Sequence, residues 1–304
     1  MDDQPLVTIA INNYNYGQFL GSAIDSALSQ TYAPIEIVVV DDGSTDNSRE
    51  IIASYQDQIV PILKENGGQA SAFNAGLAAS RGQIICLLDA DDVFLPHKVA
   101  EIVKVFEQQP EVGWCFHRLK LVDTKTGELI RISPGIDSQI CDFRQQSQKG
   151  NIVGPTPATS GLCFRRSLLE QILPMPEIIR ITSDNYVKFL AMALSKGYFL
   201  NQPLVIQNIH GDNAFSQRPE KQRVKIDVAI LTAYCLRAHW STVAKQRANK
   251  IFAKGLGQAW KLKDMSVQAQ QAKGKYLATV SPLEGFEIAL RACYHRLKPQ
   301  QIKL

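Results

Sequence analysis

The amino-acid sequence predicts an α/β fold in which a mostly parallel β-sheet is flanked by helices and followed by a helical C-terminal extension. Two observations lead to this prediction. Short apolar stretches alternate with segments of helical periodicity through the first 120 residues, as in sheets that are covered on both faces. From about Pro219 onward the chain is basic and shows helical periodicity alone.

Four strands and their helices account for the first part of the chain. Apolar runs too short for a helix predict strands at 6–11, 35–40, 59–64 and 84–88. Apolar or small residues at helical spacing predict helices at 18–30, from 46, at 68–80 and at 97–109. Thr45 or Asp46 can cap the second of these helices. Such alternation is typical of β-α-β units with a parallel sheet.

The middle of the chain has a less regular pattern. Residues 112–122 and 129–132 predict a hairpin, because Asp123-Thr-Lys-Thr-Gly127 between them is a turn sequence. Residues 133–158 are polar and contain several glycines and prolines, which favours a long functional lid. The last elements before the extension are a strand, a helix and a strand at 161–164, 184–195 and 204–209.

Composition and charge indicate a soluble globular protein with two different regions. Of 304 residues, 45% are hydrophobic; no apolar run could span a bilayer and no signal-peptide pattern opens the chain, so we expect a cytoplasmic protein. The six cysteines lack a C-x-x-C pair and are expected to be reduced. From residue 215 onward 17 Lys and Arg face 5 Asp and Glu, a net charge of +12, whereas the first 214 residues carry −8. We therefore expect a sheet domain over 1–215 and a basic helical extension over 216–304.

Polar residues follow each of the four predicted strands. These clusters are Asn12-Asn13-Tyr14-Asn15, Asp41-Asp42-Gly43, Asn66-Gly67-Gly68 and Asp89-Ala90-Asp91-Asp92. The carboxyl ends of parallel strands meet at one edge of the sheet, where the ligands of open α/β sheets bind. The four clusters together therefore predict a ligand cleft at that edge.

The aspartates at 89, 91 and 92 are the most informative of these residues. Three neighbouring carboxylates repel one another unless they are protonated or bound to a cation. Oxygen ligands of this kind suit Mg²⁺ or Mn²⁺, which are often shared with substrate phosphates. The alternative is a solvated turn that caps the helix near His97.

The clusters after the second and third strands each have two interpretations. Asp41 and Asp42 predict a carboxylate that accepts a hydrogen bond from a base or ribose, or else a turn with a helix cap. Asn66, Gly67 and Gly68 predict a close approach of the backbone to a diphosphate at a helix N-terminus, or else a plain turn.

Five segments together resemble the family 2 glycosyltransferases in their order and spacing. They are Val7–Asn15, Ala27–Tyr32, Glu36–Asp46, Asn66–Gly76 and Leu88–Asp92. The resemblance covers residues 5–100 closely and 160–215 more loosely. It implies a GT-A fold, which is Rossmann-like, a nucleotide-sugar donor, a divalent metal (Mn²⁺ or Mg²⁺) and inversion at the anomeric carbon.

The resemblance also implies roles for residues of the first two strand ends. Asn12 and Tyr14 match positions that line the nucleotide pocket. Asp42, with Asp41 behind it, matches the carboxylate that contacts the base. The sequence departs from the family at Phe73, where many members have arginine before Asn-x-Gly, which removes a phosphate or ribose contact from that position.

The metal and the catalytic base are implied in the same way. Asp91 matches the carboxylate that ligates the metal, and Asp89 matches the carboxylate nearer the ribose. Asp184 occupies the place of the family's acidic residue at a helix start, where it would take the acceptor's proton; its alternative is a helix cap. His210 matches a late His-x-x-Asn segment and is a candidate metal or diphosphate ligand or a structural histidine, and Arg218 is a candidate diphosphate contact.

The function expected from this resemblance is transfer of a sugar, with a UDP-sugar as the first guess, to an acceptor hydroxyl in cell-surface glycan synthesis. The acceptor would be a glycan or a lipid-linked glycan. The alternative is a catalytically silent nucleotide- or sugar-binding module. A processive membrane synthase is not expected, because neither transmembrane helices nor a Gln-x-x-Arg-Trp segment is in the sequence.

The basic extension has two interpretations of its own. Its positive charge could bind an anionic membrane surface on the inner face of the membrane, where lipid-linked acceptors lie. Otherwise it is a solvated helical face that packs the domain or forms a homodimer. Nucleic acid is not expected as a partner, because the extension contains no recognition motif.

Overall fold

The computed structural model describes residues 4–151, 154–211 and 222–298. The chain divides into two compact units: a sheet unit of Met1–Arg144 with Val153–Asn213, and a helical unit of Gln145–Ile152 with Ala214–Leu304. The domain boundary expected between residues 215 and 216 falls outside the described residues, as does Arg218. A search of the described ranges finds no helix with both the length and the apolar content to cross a bilayer.

The described part of the sheet unit contains one mixed sheet. Its strands are β1 (Val7–Asn13), β2 (Ile35–Asp42), β3 (Val60–Lys64), β4 (Ile84–Asp89), β5 (Val93–Phe94), β6 (Trp114–Asp123), β7 (Leu129–Ile132), β8 (Gln139–Cys141), β9 (Leu162–Arg165) and β10 (Gly197–Ile209). The spatial order is β3-β2-β1-β4-β9-β6-β10-β5, with β7 beside β6 and β8 beside β10. The first four strands are parallel to one another, as are β6 and β10, while β5, β7, β8 and β9 run antiparallel to their neighbours.

Helices cover both faces of this sheet. The helices of the chain are α1 (Gly17–Leu28), α2 (Ser48–Ser54), α3 (Gln69–Ala79), α4 (Lys98–Gln108), α5 (Arg144–Gln148), α6 (Arg166–Ile172), α7 (Asp184–Leu194), α8 (Gln222–Leu262), α9 (Val267–Leu277) and α10 (Pro282–Leu297). Alternate side chains of β2 point to opposite faces. Val39 packs in the core that contains α1, and Val38 and Val40 pack against Ala72 of α3. The predicted sheet flanked by helices is therefore confirmed.

Two expectations about local structure need correction. Residues 133–158 were expected to form a long lid, but they include β8 and α5, and β8 pairs with the first residues of β10. The last strand starts at Gly197 and not at 204, because β10 continues beside β6 through register shifts on either side of Pro203. The polar residues Asn201 and Gln202 concealed the earlier half of this strand in the sequence.

The helical unit is formed mainly by α8, α9 and α10. The backbone of α8 is non-helical at Trp240 (φ −133°, ψ 32°), which kinks the helix. Phe252 of α8 stacks on Tyr276 of α9 with ring centroids 3.9 Å apart. A Cβ at Gly257 of α8 would lie 2.3 Å from the carbonyl oxygen of Ala292, so glycine permits the close approach of α8 and α10.

Candidate active site

The parallel strands bring the predicted polar clusters to one edge of the sheet. In the register of the sheet, Asn12 of β1 lies beside Asp89 of β4, and Asn13 lies beside Asp41 of β2. Each of these residues stands at or next to the end of its strand. The strand ends that the sequence predicts to form a ligand cleft therefore lie side by side.

An acidic cluster forms the centre of this edge. Carboxylate oxygens of Asp89, Asp91 and Asp92 all lie within 4.8 Å of one another. Burial, and then the charges of Asp91 and Asp184, raise the pKa of Asp89 to about 8. Burial and the two neighbouring aspartates also raise the pKa of Asp92 well above its usual range. Crowded carboxylates of this kind fit a divalent cation, which would offset their mutual repulsion.

Ser160 fixes two members of this cluster. Its hydroxyl donates to Asp92 Oδ2 (2.6 Å) and accepts from the backbone amide of Asp89 (3.1 Å). The carbonyl of the same serine accepts from the buried ammonium of Lys98 (2.8 Å). Ser160, in the short turn before β9, therefore holds the acidic cluster in place through hydrogen bonds. No sequence motif predicted these contacts.

The end of β10 holds the cluster from the other side. Asn208 donates from its backbone amide to Asp92 Oδ1 (3.2 Å) and from its side chain to the carbonyl of Asp91 (2.7 Å). His210 Nε2 lies 3.1 Å from Asp91 Oδ2, and the imidazole ring lies 4.7 Å from the ring of Phe19 and 5.6 Å from that of Tyr16. The two residues named from the sequence as candidate metal ligands therefore lie in direct contact.

Asp184 is the first residue of α7, with Ser183 in the capping position before it. Its carboxylate lies 3.2 Å from the ammonium of Lys188, one turn along the helix, and both side chains are buried. Lys188 also donates to the carbonyl of Pro157 (2.7 Å). The segment 157–160 links this ion pair to the acidic cluster, because the Pro157 carbonyl accepts from Lys188 and the Ser160 hydroxyl donates to Asp92.

The carboxylate of Asp42 is hydrogen-bonded to the loop that follows β3. Its Oδ1 accepts from the Gly67 amide (2.9 Å) and from Lys64 Nζ (2.7 Å), and its Oδ2 accepts from the Gly68 amide (2.7 Å). Gly68 has a φ of +89°, where glycine carries little strain. The Asp42 carboxylate thus fixes the conformation of the glycine loop. Because it already accepts three hydrogen bonds, little of its accepting capacity remains for a base.

Arg180 connects this glycine loop to the segment before α7. Its carbonyl accepts from the Gln69 amide (2.8 Å), and its guanidinium donates to the side chain of Asn66. Gln69 in turn accepts from the Ser183 amide through Oε1 (2.9 Å). The loop at one strand end and the helix that carries Asp184 are therefore one hydrogen-bonded assembly.

Asp41 is fully buried beneath the edge. Its Oδ1 accepts from Asn13 Nδ2 (2.9 Å), and its Oδ2 accepts from the Ser44 amide (3.1 Å) and from Arg49 Nε (2.9 Å). Burial alone would raise the pKa of Asp41, but the hydrogen bonds from Ser44, Arg49 and Asn13 lower it overall. This geometry makes Asp41 a support for the strand ends, because its oxygens face protein donors.

Asn12 differs from its neighbours. Within the described ranges, the nitrogen and the oxygen of its buried side-chain amide find no hydrogen-bond partner. Buried polar groups are nearly always paired, so an unpaired amide at a ligand edge is fitted to receive a ligand. Tyr14, close by in the chain, is 48% exposed. Phe73, at the departure from the family pattern, is buried in α3 and supplies no group to the edge.

The sequence missed Ser160, Asn208, Arg180 and Lys188. Only Lys188 had a local signal, since a lysine four residues after an aspartate on a helix pairs with it. The other three residues are hydrogen-bonded to residues between 62 and 117 positions away in the chain, which no local pattern reports.

The sheet order and its acidic edge define the class of this protein as a GT-A fold. The family model described as "Glycosyl transferase family 2" matches residues 8–173. The chain belongs to glycosyl transferase family 2, and the family predicted from the sequence is confirmed.

Similar proteins agree with this assignment. An uncharacterized glycosyltransferase of Nostoc sp. (strain PCC 7120) is 41% identical over 215 residues, which is 68% of this chain and 66% of that protein. An uncharacterized glycosyltransferase of Rickettsia prowazekii is 33% identical over 215 residues, 68% of this chain and 64% of that protein. The matches thus span slightly less than two thirds of these relatives.

A solved structure shares the fold. The crystal structure of S. aureus TarS 1–349 in complex with UDP-GlcNAc superposes with a TM-score of 0.65 and 17% sequence identity, and the match covers 96% of this chain and 89% of that one. At this identity the likeness establishes the fold alone.

Proposed function

We propose that the protein transfers a sugar from a nucleotide diphosphate sugar, with a UDP-sugar as the first candidate, to an acceptor hydroxyl with inversion. The observation that carries this proposal is the cluster of Asp89, Asp91 and Asp92 at the strand ends, with His210 Nε2 3.1 Å from Asp91 Oδ2. Such a cluster can hold a metal with a diphosphate, and Asp184, the first residue of α7, supplies the carboxylate that takes the proton. The UDP-GlcNAc complex of S. aureus TarS supports the choice of donor by analogy.

The donor is bound, in this proposal, along the strand ends. The unpaired amide of Asn12 and the exposed ring of Tyr14 receive the nucleotide. Asp42 acts by holding the backbone of Gly67 and Gly68 near it, because its oxygens already accept from those amides. The neighbouring Asn66 belongs to the same loop. Asp41 contributes indirectly, because it accepts a hydrogen bond from Asn13 and so holds the end of β1 in place.

Asp91 and His210 would hold the divalent metal, Mn²⁺ or Mg²⁺, with Asp89 on the ribose side. When bound, such an ion offsets negative charge on a departing nucleoside diphosphate. The carboxylates present the oxygen ligands that both ions prefer, and the imidazole adds one nitrogen. Asn208 donates to the carbonyl of Asp91, and Ser160 accepts from the amide of Asp89, so these two residues keep the backbone of the cluster in place.

Asp184 takes the proton of the acceptor hydroxyl as the hydroxyl oxygen attacks the anomeric carbon. A new carbon–oxygen bond forms on one face of the sugar, and the bond to the diphosphate breaks on the other, with its electron pair leaving on the diphosphate. Lys188 fixes the orientation of the Asp184 carboxylate through the 3.2 Å contact. No covalent intermediate with the protein is needed for inversion.

The test is release of nucleoside diphosphate from a panel of nucleotide sugars, with and without Mn²⁺ or Mg²⁺. We expect one donor to be turned over, only with metal, and Asp91→Asn to abolish this metal-dependent turnover. Binding of a nucleotide without turnover of any donor, in the presence of sugar and lipid-linked acceptors, would favour the silent binding module instead. A glycan or lipid-linked acceptor, a role in cell-surface glycan synthesis, a cytoplasmic location and a homodimer stay predictions.

A further inference from the structure

The last helix exposes a continuous apolar stripe. Five large apolar side chains of α10, between 56% and 80% exposed, form it: Leu283, Phe286, Leu290, Tyr294 and Leu297. Their spacing of three or four residues places them on one face of the helix. Apolar side chains scattered singly on a surface are ordinary, but a contiguous stripe marks an interaction site.

The opposite face of α10 is the one that packs within the helical unit. Ile288 and Ala292 are buried, and the close approach at Gly257 of α8 lies on this side. At 100° per residue, Ala292 is turned by about half a circle from the middle of the stripe. The helix therefore has two apolar faces, and packing within its own unit accounts for only one.

Exposed basic residues lie on both sides of the stripe. At 100° per residue, Lys298, Arg291 and Arg296 are about 80°, 100° and 120° from its middle, and the exposed acid of the helix, Glu287, is about 60° away. The other acid of the helix, Glu284, is bound to Arg237 of α8 at 3.2 Å. Across residues 222–298 the chain has 14 Lys and Arg against 4 Asp and Glu, a net charge of +10. The surface around the stripe is therefore suited to an anionic partner.

We propose that α10 docks the protein onto an anionic lipid bilayer, with the stripe in the boundary between headgroups and acyl chains. Arg291, Arg296 and Lys298 then lie at the level of the lipid phosphates. An apolar face with Lys and Arg beside it is the pattern of helices that lie in this interface. This binding to lipid does not depend on the proposed transfer reaction.

A second copy of the chain fits the same surface less well. Pairing two stripes would bring the flanking cations of both copies together, and a net charge of +10 on each unit opposes that. One face of a 16-residue helix is also small beside the roughly 800 Å² that each partner contributes to a stable interface. An anionic bilayer neutralises the cations and has no such size limit.

The first experiment uses the unaltered chain. Among the described residues Cys293 is the exposed cysteine and the other five are buried, so a thiol-reactive, environment-sensitive dye reports on α10. We expect its emission to shift to the blue on addition of vesicles of phosphatidylcholine with phosphatidylglycerol. Pure phosphatidylcholine vesicles should give a much smaller shift, and added salt should reverse part of the shift.

The second experiment is co-sedimentation of the full chain with the same vesicles. The double variant Phe286→Ser with Leu290→Ser should weaken binding at least tenfold, since each side chain loses its apolar burial. Arg291→Gln and Arg296→Gln should each weaken it about fivefold on anionic vesicles. The matched control is Leu129→Ser with Ile130→Ser on β7, where the two side chains are 54% and 51% exposed, and it should bind as the parent does.

Three results would overturn the proposal. One is an unchanged dye spectrum on anionic vesicles, and another is equal binding by the stripe variant and the β7 control. The third is a dimer in solution, measured by light scattering, that the stripe variant dissociates, because that would assign the stripe to a second copy. The dye measurement needs no substitution, so it decides the matter even if a variant fails to fold.

Discussion

The Lys188 ammonium lies 3.2 Å from the Asp184 carboxylate, one helical turn away, and 2.7 Å from the carbonyl of Pro157. Both charged side chains are buried, so each depends on the other to offset the loss of hydration. The carbonyl of Pro157 fixes the lysine, and the lysine fixes the carboxylate. In the proposed reaction Lys188 is thus a positioning residue for the base.

Lys188→Met should lower kcat about 100-fold, because a base without its fixed orientation rarely meets the acceptor proton. The KM for the donor should change little, because Lys188 is bonded to the base and not to the predicted donor residues. Removing one partner of a buried pair should also cost about 3 kcal/mol of stability. Steady-state kinetics and urea unfolding measure the two effects. Lys104→Met on the exposed side of α4 is the control, and a kcat equal to that of the control would refute the positioning role.

Gly68→Ala should destabilise the protein more than an ordinary left-handed glycine replacement does. A Cβ at Gly68, where φ is +89°, would lie 2.7–2.8 Å from atoms of Arg180. Gly127 also has a positive φ, of +72°, but a Cβ there would meet nothing within 4 Å. Gly127→Ala should therefore cost about 1 kcal/mol, and Gly68→Ala about 1–3 kcal/mol more. If Gly68→Ala and Gly127→Ala lower the free energy of unfolding equally, the contact with Arg180 does not add to the destabilisation.

Asn12→Ala and Asn13→Ala should separate binding from stability. The amide of Asn12 has no hydrogen-bond partner in the described part of the chain, whereas Asn13 donates to Asp41 (2.9 Å). Asn12→Ala should weaken the binding of UDP about tenfold and change the unfolding free energy by less than about 1 kcal/mol. Asn13→Ala should cost about 1–3 kcal/mol of stability. Calorimetric titration and thermal unfolding check the pair, and a strong loss of stability in Asn12→Ala would mean that the amide is a structural group.

The stability of the helical unit should depend on pH through Glu284. Its carboxylate is hydrogen-bonded to Arg237, above all, and also to Asn249, Ser281 and Lys245, and these bonds hold its pKa well below the usual 4.5. A carboxyl with a lowered folded pKa contributes stability above its unfolded pKa and loses that contribution as pH falls. The free energy of unfolding should therefore begin to fall below about pH 4.5 on this account.

Glu284→Gln is the matched variant for that measurement. At pH 7 it should be less stable than the parent, and the difference should shrink as the pH is lowered toward the folded pKa. Unfolding followed by circular dichroism at several pH values gives the difference directly. A difference that does not change with pH would contradict the role of the ionised carboxylate.

Much of the site could be predicted because strand ends carry their own signal. Asn12, Asp42 and Asp89 follow apolar runs, and the parallel sheet then places them together. The insertion of β9 between β4 and β6, with Cys163 beside both Cys86 and Cys115, could not be predicted. It is an antiparallel pairing between residues far apart in the chain, and apolar runs do not specify their partners.

The roles of individual carboxylates were harder to predict than their positions. The sequence offered Asp42 as a contact for a base, but whether a carboxylate faces a ligand or backbone amides depends on the folded loop. In the folded loop the Asp42 carboxylate accepts from the amides of Gly67 and Gly68, and its contact with a base stays a prediction. Asp184 and His210 were found by family resemblance, since Asp184 lies 93 residues beyond Asp91 and no spacing rule connects them.

The most direct test of the proposed reaction compares turnover and donor binding in Asp184→Asn. We expect this variant to bind the UDP-sugar and metal as the parent does, while kcat falls by about two to four orders of magnitude. Turnover near the parent's rate, or loss of donor binding with the loss of turnover, would contradict the assignment of Asp184 as the base.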